Sequence, residues 1–391
     1  MKYKRKVKTN LFYLAWVIMV AHFCVANSNL QEYSISVVSY IAMLLFASKI
    51  FILETYYKLK EILVIGIALI WGALASRAAD DMRVLWFVLV LCASKGIDFD
   101  RTVQLSFKTM LFCCIVFASM FMLGVSQETL VDSSRGVRHS FGMGHPNMFA
   151  AYYTLLVVQY IYLNFDKIKI GKIILLTIGS VIVFGFSKGV TGLITSVSTI
   201  IIICILKYFP LKKMNAKLIV IGLIIAVAGL TIIPIIYSNR FALLDTMMTG
   251  RLHQANFYYK KYGISLLGNN VNADLNSIYT DNILDIGYTK MLLNNGLVYY
   301  AVVVGGYTLT MFKACKDNRR DLVSILGCFM LYMCTENVAT YIFMNVTMLL
   351  FKDFLFFNKN DKMAWKVART KRNVILKHSI QKQEYRCEEK K

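Results

Sequence analysis

Apolar residues run along this chain in blocks of helical length divided by short polar connections, and the blocks recur from residue 11 to residue 357. Apolar runs near 20 residues predict helices that satisfy their own backbone while crossing lipid. About twelve such spans follow from the pattern. They are 11–26, 34–53, 61–75, 84–94, 106–124, 147–165, 172–187, 190–207, 217–238, 296–313, 321–338 and 341–357. The third and fourth are short, are split by ASRAADDMR (75–83), and read equally as one re-entrant pair. The expected fold class is all-α: a polytopic membrane protein with a large outer loop containing short helices.

Composition supports the lipid reading. Hydrophobic residues make up 57% of the 391 positions and charged residues only 17%, with three prolines. No soluble core hides so much apolar surface from water. The first run follows a basic start but is long and lacks a small-x-small cleavage site, so it is expected to stay as a span. No internal repeat stands out, which weighs against a transporter built from inverted repeats.

Basic residues then set the orientation, because Lys and Arg beside short loops stay cytoplasmic. The amino terminus (1–10), YYKLKE (56–61), NFDKIKIGK (164–172), LKYFPLKKMNAK (206–217), KACKDNRR (313–320) and the tail from 359 onward all fall on one side. An even number of spans results, with both termini on the cytoplasmic side of the membrane. Residues 11–358 form the transmembrane domain, and two long connections, 125–146 and 239–295, lie outside. The tail holds eleven Lys and Arg against four Asp and Glu. Such a tail fixes topology and attracts anionic membrane lipids. The net charge of +22 is thus mostly a property of the inner face, and nucleic acid is not an expected partner. The nine cysteines are scattered, mostly within spans, and read as small buried residues rather than a disulfide or metal framework.

The outer connections carry the candidate chemistry. SSRGVRHSFGMGHPNMFAAYY (133–153) places Arg135, Arg138, His139 and His145 in one short stretch, against the topological bias. Arginine offers forked, permanently charged donors suited to phosphate oxygens. Pro146 favours a helix start near His145, whose amides would add to an anion site beside Asn147. Headgroup pairing at the interface is the plainer alternative for the arginines and for His139. In the second connection, TMMTGRLHQANFYYKKYG (246–263) predicts a short amphipathic helix after Gly250. Arg251 and His253 stand two residues apart there and point in different directions, with Arg251 favoured toward a ligand. A polar stretch (266–282) leads to ILDIGYTKMLLNNG (283–296), closed by Gly296. Asp281 is a carboxylate able to take a proton beside fixed cations, or else a helix cap. Lys188 lies in a tight outer turn, FSKGVTG (186–192), and Glu336 and Asn337 near the outer end of the eleventh span. Cavity lining, or for Lys188 snorkelling and for Glu336 interhelical bonding, accounts for them. His22 and Lys49, inside spans, read as structural. No nucleotide-binding loop or metal-spaced carboxylate cluster is present, so neither a metal nor another cofactor is expected.

In order and sidedness, RGVRHSFGMGHPN, SKG, TGRL, TDNILDIGYTKMLLNNG and Glu336 resemble the Wzy-type polymerases of the O-antigen ligase and polymerase superfamily. The resemblance covers 125 to about 357. It implies a GT-C-like, metal-independent glycosyltransferase in capsule or surface polysaccharide biosynthesis. Such an enzyme moves a growing glycan from undecaprenyl pyrophosphate onto an incoming carrier-linked repeat unit, alongside a flippase and a chain-length regulator. On that resemblance Arg135 and Arg251 handle pyrophosphate, and His145 and Asn147 match an HPN motif; Arg138 is expected to bind pyrophosphate with the two arginines, Lys188 assisting. Asp281 falls where ligase relatives often carry a histidine base, followed by Asn282, which favours polymerase over ligase and leaves Asp281 or His145 as base. Lys188 departs from a more usual arginine. An O-antigen-type ligase, and a lipid-linked oligosaccharide flippase or other transporter, are the alternatives.

Overall fold

The computed structural model describes residues 2–53, 57–132, 136–208, 215–237, 240–247, 250–271 and 284–356. Those residues are helical throughout their regular structure, with one isolated bridge between Val131 and Arg138. The chain divides into two units, Met1–Lys352 and Asp353–Lys391, the second described only over 353–356.

The first unit is a bundle that comprises α1 (Lys2–Ala26), α2 (Ser36–Ser48, continued by a π-turn), α3 (Leu59–Ala79), α4 (Arg83–Ala93), α5 (Phe99–Met122), α6 (Pro146–Asn164), α7 (Ile170–Ser187), α8 (Val190–Tyr208) and α9 (Ala216–Tyr237). Three short helices come next, α10 (Ala242–Met247), α11 (Arg251–Tyr262) and α12 (Gly287–Leu293), before α13 (Leu297–Lys316) and α14 (Arg320–Tyr332). Five helices among the described residues are long and apolar enough to cross a membrane: Thr9–Ala26 of α1, and α3, α5, α7 and α13. Large apolar side chains such as Leu44, Ile67, Phe112, Leu175 and Ile225 point outward from the bundle. In water such a surface would drive association, whereas lipid accepts it.

α3 is longer than the pattern predicts. ASRAA (75–79) continues the helix, as strong helix formers should. Asp80, in the left-handed region at φ 48°, ends it.

The predicted twelfth span, 341–357, is a larger departure, for it is not a continuous helix. After α14 the chain returns through a 3₁₀ turn at Asn337–Thr340, an irregular stretch and a second 3₁₀ segment, Val346–Phe351. The cause is visible in Asn345. Its Nδ2 donates to Ala339 O at 2.6 Å, and its Oδ1 accepts from Tyr307 and Thr347 hydroxyls. One side chain thereby replaces backbone bonds that an unbroken helix would supply. Non-helical backbone at membrane depth survives only when protein surrounds it. Residues 338–351 meet that condition, being buried at nearly every position, with Phe343 against Trp16, Phe46 and Trp86 and Phe351 against Phe87 and Tyr307.

The two ends of the bundle differ. At one, Lys49 donates to the Ala93 and Lys95 carbonyls, Lys95 pairs with Glu61 at 2.8 Å, and Lys352 reaches the Ile97 carbonyl. Lys49 is therefore a staple between helix ends. The opposite end gathers the candidate chemistry.

Candidate functional site

Two knots of polar side chains and one cavity occupy that end. The first knot joins two neighbouring stretches of the first connection to the turn after α7, some fifty residues on. Arg138 exchanges backbone hydrogen bonds with Val131, and its Nε donates to the Ser187 carbonyl at 2.8 Å while Nη2 bonds Asn147 Oδ1. His139 donates its amide to Phe186 O and sets Nδ1 3.2 Å from Glu128. Lys188, at φ 50°, ends α7 in the left-handed region. The RGVRH, HPN and SKG segments thus meet.

The start of α6 is where the sequence places it, with His145 as N-cap and Pro146 in the first turn. The open anion site expected there is filled, however, because His145 Nδ1 accepts the Asn147 amide at 3.1 Å. Burial, and then Arg138, push the His145 pKa down, so the ring stays neutral. A neutral imidazole that accepts at Nδ1 carries its proton on Nε2. In this arrangement Nδ1 of His145, the alternative to Asp281 as base, is engaged by the Asn147 amide, and Nε2 is left to donate.

The second knot belongs to the later connection. Gly250, at φ 80°, precedes α11, whose apolar face (Leu252, Ala255, Tyr258) packs with Val271, Leu284, Ile286 and Leu293 in a small core of its own. Arg251 is buried and His253 exposed, as their spacing requires. Arg251 does not face open space, unlike the ligand-facing role expected of it. Its guanidinium lies 3.1 Å from both Asp285 and Glu336 and donates to the Thr335 carbonyl. These contacts tie α11 to the segment before α12 and to the end of α14. Burial pushes the Asp285 pKa up to about 6, opposed by Arg251 and reinforced by Glu336. Gly287 lets α12 approach closely, since a Cβ there would lie 2.7 Å from Met333 O and 2.8 Å from Glu336 O. α12 ends at Leu293 with Asn294 as its C-cap, so Gly296, at φ 93°, serves as the N-cap of α13 and not as the helix end expected of it.

Beside this knot lies a cavity of about 560 Å³. Its wall draws on the end of α1 and the residue after it (His22, Phe23, Asn27), the α3–α4 turn and the start of α4 (Asp80, Asp81, Arg83, Trp86), the second connection (Leu284, Lys290) and the broken crossing (Asn337, Tyr341, Phe343). The first connection backs the α1 side: Asn29 donates its amide to Gly142 O and bonds Gln127 and Thr129. Among the described lining residues, none of Arg138, His139, His145, Asn147, Lys188, Arg251, His253 or Glu336 appears. Arg135, Asp281 and Asn282 lie outside the described residues.

Sequence patterning does not single out the cavity's ionisable groups. Arg83 is 4% exposed, pairs with Asp81 at 3.3 Å, bonds Thr340 Oγ1, and stacks its guanidinium 3.9 Å from the Tyr341 ring centroid. Asp81 also accepts from Asn294 Nδ2 at 3.2 Å. Asp80 is exposed and accepts from Asn270 at 3.4 Å. Lys290 is 5% exposed, and its pKa is pushed down to about 8 by burial and then Arg83, against the pull of Asp81 and Asp285. His22, read as structural, lines the same space. A signal is nonetheless present in ASRAADDMR, four charges wedged between apolar runs on the expected outer side. Among the described residues no group of His, Cys, Asp and Glu is arranged to hold a metal ion.

Compared with protein-family models, curated proteins and solved structures, the chain matches none.

Proposed function

We propose that this chain is an integral membrane glycosyltransferase that lengthens glycans carried on a polyprenyl pyrophosphate lipid, in a bundle of about twelve crossings with both termini cytoplasmic. The observation that carries the reading is the cavity. It opens where both long connections pack, its wall combines buried cations, exposed carboxylate, amides and the rings of Phe23, Trp86 and Tyr341, and apolar helices flank it. Carbohydrate and lipid phosphate together call for that mixture of aromatic surface, amides and fixed positive charge.

In the reaction an acceptor sugar hydroxyl attacks the anomeric carbon of the donor glycan. The new glycosidic C–O bond forms as the bond to the carrier's pyrophosphate breaks, and the pyrophosphate lipid leaves with the electron pair. The hydroxyl proton passes to a carboxylate; among the described residues Asp80 is the exposed one on the wall. Preorganised donors aimed at the leaving oxygens lower the barrier most, and each is commonly worth about a hundredfold or more in rate.

Purified protein given lipid-linked repeat units, with no nucleotide sugar and no added metal, should yield a ladder of longer carrier-linked products. Folded protein that leaves authentic substrate unextended would count against the reading. Ligase activity would use the same groups and differ only in acceptor, appearing as glycan moved off the carrier onto another molecule.

A further inference from the structure

The arginines that the sequence singles out for phosphate are engaged with protein where they are described: Arg138 with Ser187 and Asn147, Arg251 with Asp285, Glu336 and Thr335. Two other cations, Arg83 and Lys290, line the cavity itself, each more than nine-tenths buried. They come from the first residue of α4 and from α12, segments more than 200 residues apart, so the fold brings them to one wall.

Burying a cation is costly unless charge or hydrogen bonds compensate it. For Arg83 the compensation is incomplete: Asp81, Thr340 and the Tyr341 ring hold part of the guanidinium, but its Nε is buried without a hydrogen-bond partner. Asp81, its one ion-pair partner among the described residues, is shared with Asn294. Lys290 lies near this pair, where burial first and Arg83 second disfavour its charged form, against the pull of Asp81 and Asp285. Two buried cations that repel each other across a cavity wall are relieved by an anion placed between them.

We infer that Arg83 and Lys290 form a phosphate subsite in the cavity, taking the phosphate of an amphiphilic ester whose polar end faces Asp80, Asn27 and Asn337. Tyr341, stacked on the guanidinium, fixes the plane of the Arg83 side chain. The overall balance of the wall, with Asp80 and Asp81 opposing the two cations, favours a ligand with one anionic end and one hydroxylated end over a simple polyanion. Assignment of that phosphate to a glycan carrier rests on the function proposed for the chain; the subsite itself does not.

Titration calorimetry with inorganic pyrophosphate and with geranyl pyrophosphate, on full-length protein in detergent, tests it. The comparison is wild type against Lys290→Gln and Arg83→Lys, each checked for monodispersity and melting. Both ligands should bind wild type, and each variant should weaken binding by at least about tenfold, since Lys290→Gln loses a charge-assisted bond and Arg83→Lys the planar, forked donor. If Arg83→Lys does not fold, Lys290→Gln decides alone. Absence of binding to folded wild type, or unchanged affinity in folded Lys290→Gln, overturns the subsite. A short-chain phosphatidylglycerol arm identifies the source. Displacement of geranyl pyrophosphate at equal concentration supports the subsite with a lipid headgroup as ligand, and failure to displace supports it with a pyrophosphate carrier. The extension assay is scored separately on the same preparations. Pyrophosphate binding that needs Lys290 in a protein that never extends glycan sinks the polymerase reading and keeps the subsite; extension with binding indifferent to Lys290 does the reverse.

Discussion

Tyr307, midway along α13, donates its hydroxyl to the side-chain carbonyl of Asn345 at 2.9 Å. Around that contact the chain after α14 recrosses the bundle without forming an α-helix. Asn345 Nδ2 also bonds Ala339 O, and Thr347 closes the group through Tyr307 at 2.7 Å. Tyr341, which stacks on Arg83, lies between the residues this network holds, so the network positions part of the cavity wall. Replacing Asn345 by Leu removes the donor to a buried carbonyl, and a stranded buried polar group costs about 1–3 kcal/mol. Asn345→Leu should lower the apparent Tm clearly, while Tyr307→Phe, which leaves the Asn345–Thr347 bond in place, should lower it less. Equal, negligible shifts would show that the irregular crossing is held by its apolar packing alone.

The Arg251 knot makes a second prediction. Arg251→Met would leave Asp285 and Glu336 facing each other, both largely buried, without their shared cation. Breaking such a pair from one side costs on the order of 3 kcal/mol. The single variant should therefore melt well below wild type, and adding Asp285→Asn and Glu336→Gln should recover much of the loss. A triple variant no more stable than Arg251→Met would place the importance of Arg251 elsewhere, in contact with ligand.

His145 separates capping from catalysis. Asn is as good an N-cap as most, whereas Ala loses the cap at about 1 kcal/mol. In the extension assay His145→Asn should stay within about tenfold of wild type, because the Nδ1 that a base would need is already bonded to the Asn147 amide. A loss of about a hundredfold or more in the folded variant would reinstate the imidazole in proton transfer.

These residues also show how much the chain discloses before it folds. The helix starts at Pro146 and Arg251 are legible, since each depends on local backbone chemistry within a few residues. The helical class and its membrane character come from apolar run length, which needs no tertiary knowledge. Two things are not legible. The apolar run 341–357 has the composition of a helix, and only Tyr307 and Ala339, distant in sequence or outside the run, reveal that Asn345 breaks it. Likewise, whether an arginine meets a ligand or a carboxylate depends on partners such as Asp285 and Glu336, which no spacing rule connects to Arg251. Arg83 and Lys290 escape notice for the converse reason, each being an ordinary charge in its own segment.

Gly287 tests the docking of α12 that brings Lys290 to the cavity. Tyr288 donates its amide to Met333 O at 3.2 Å and its hydroxyl to Met330 O at 3.1 Å, so α12 rests directly on the end of α14. A methyl group at Gly287 would press on two backbone oxygens that cannot rotate away. Gly287→Ala should lower Tm, since overpacking costs roughly 1–3 kcal/mol, and should weaken pyrophosphate binding in parallel by moving Lys290. Gly305→Ala, where nothing lies within 4 Å of the added atom, is the control: it should leave binding unchanged and Tm unchanged or raised, since Ala favours a helix interior over Gly.

The pH dependence of anion binding depends on Lys290. Its pKa in the folded protein is pushed down to about 8, below the ordinary lysine range, with burial and Arg83 favouring the neutral amine while Asp81 and Asp285 oppose them. The sign is fixed by which form holds an anion: below about 8 the amine is charged and contributes to binding, and as pH rises through 8 that contribution is lost. For stability the direction is the reverse, because an unfolded lysine keeps its proton to about 10.4, so the folded state gains relative to the unfolded as pH rises from about 8 toward that value. Lys290→Arg keeps its charge across this range. The ratio of wild-type to Lys290→Arg affinity for pyrophosphate should therefore fall between about pH 7 and about pH 9, and using the ratio cancels the titration of the ligand itself. A ratio that stays flat in folded proteins would remove Lys290 from the anion's reach, whatever the absolute affinities.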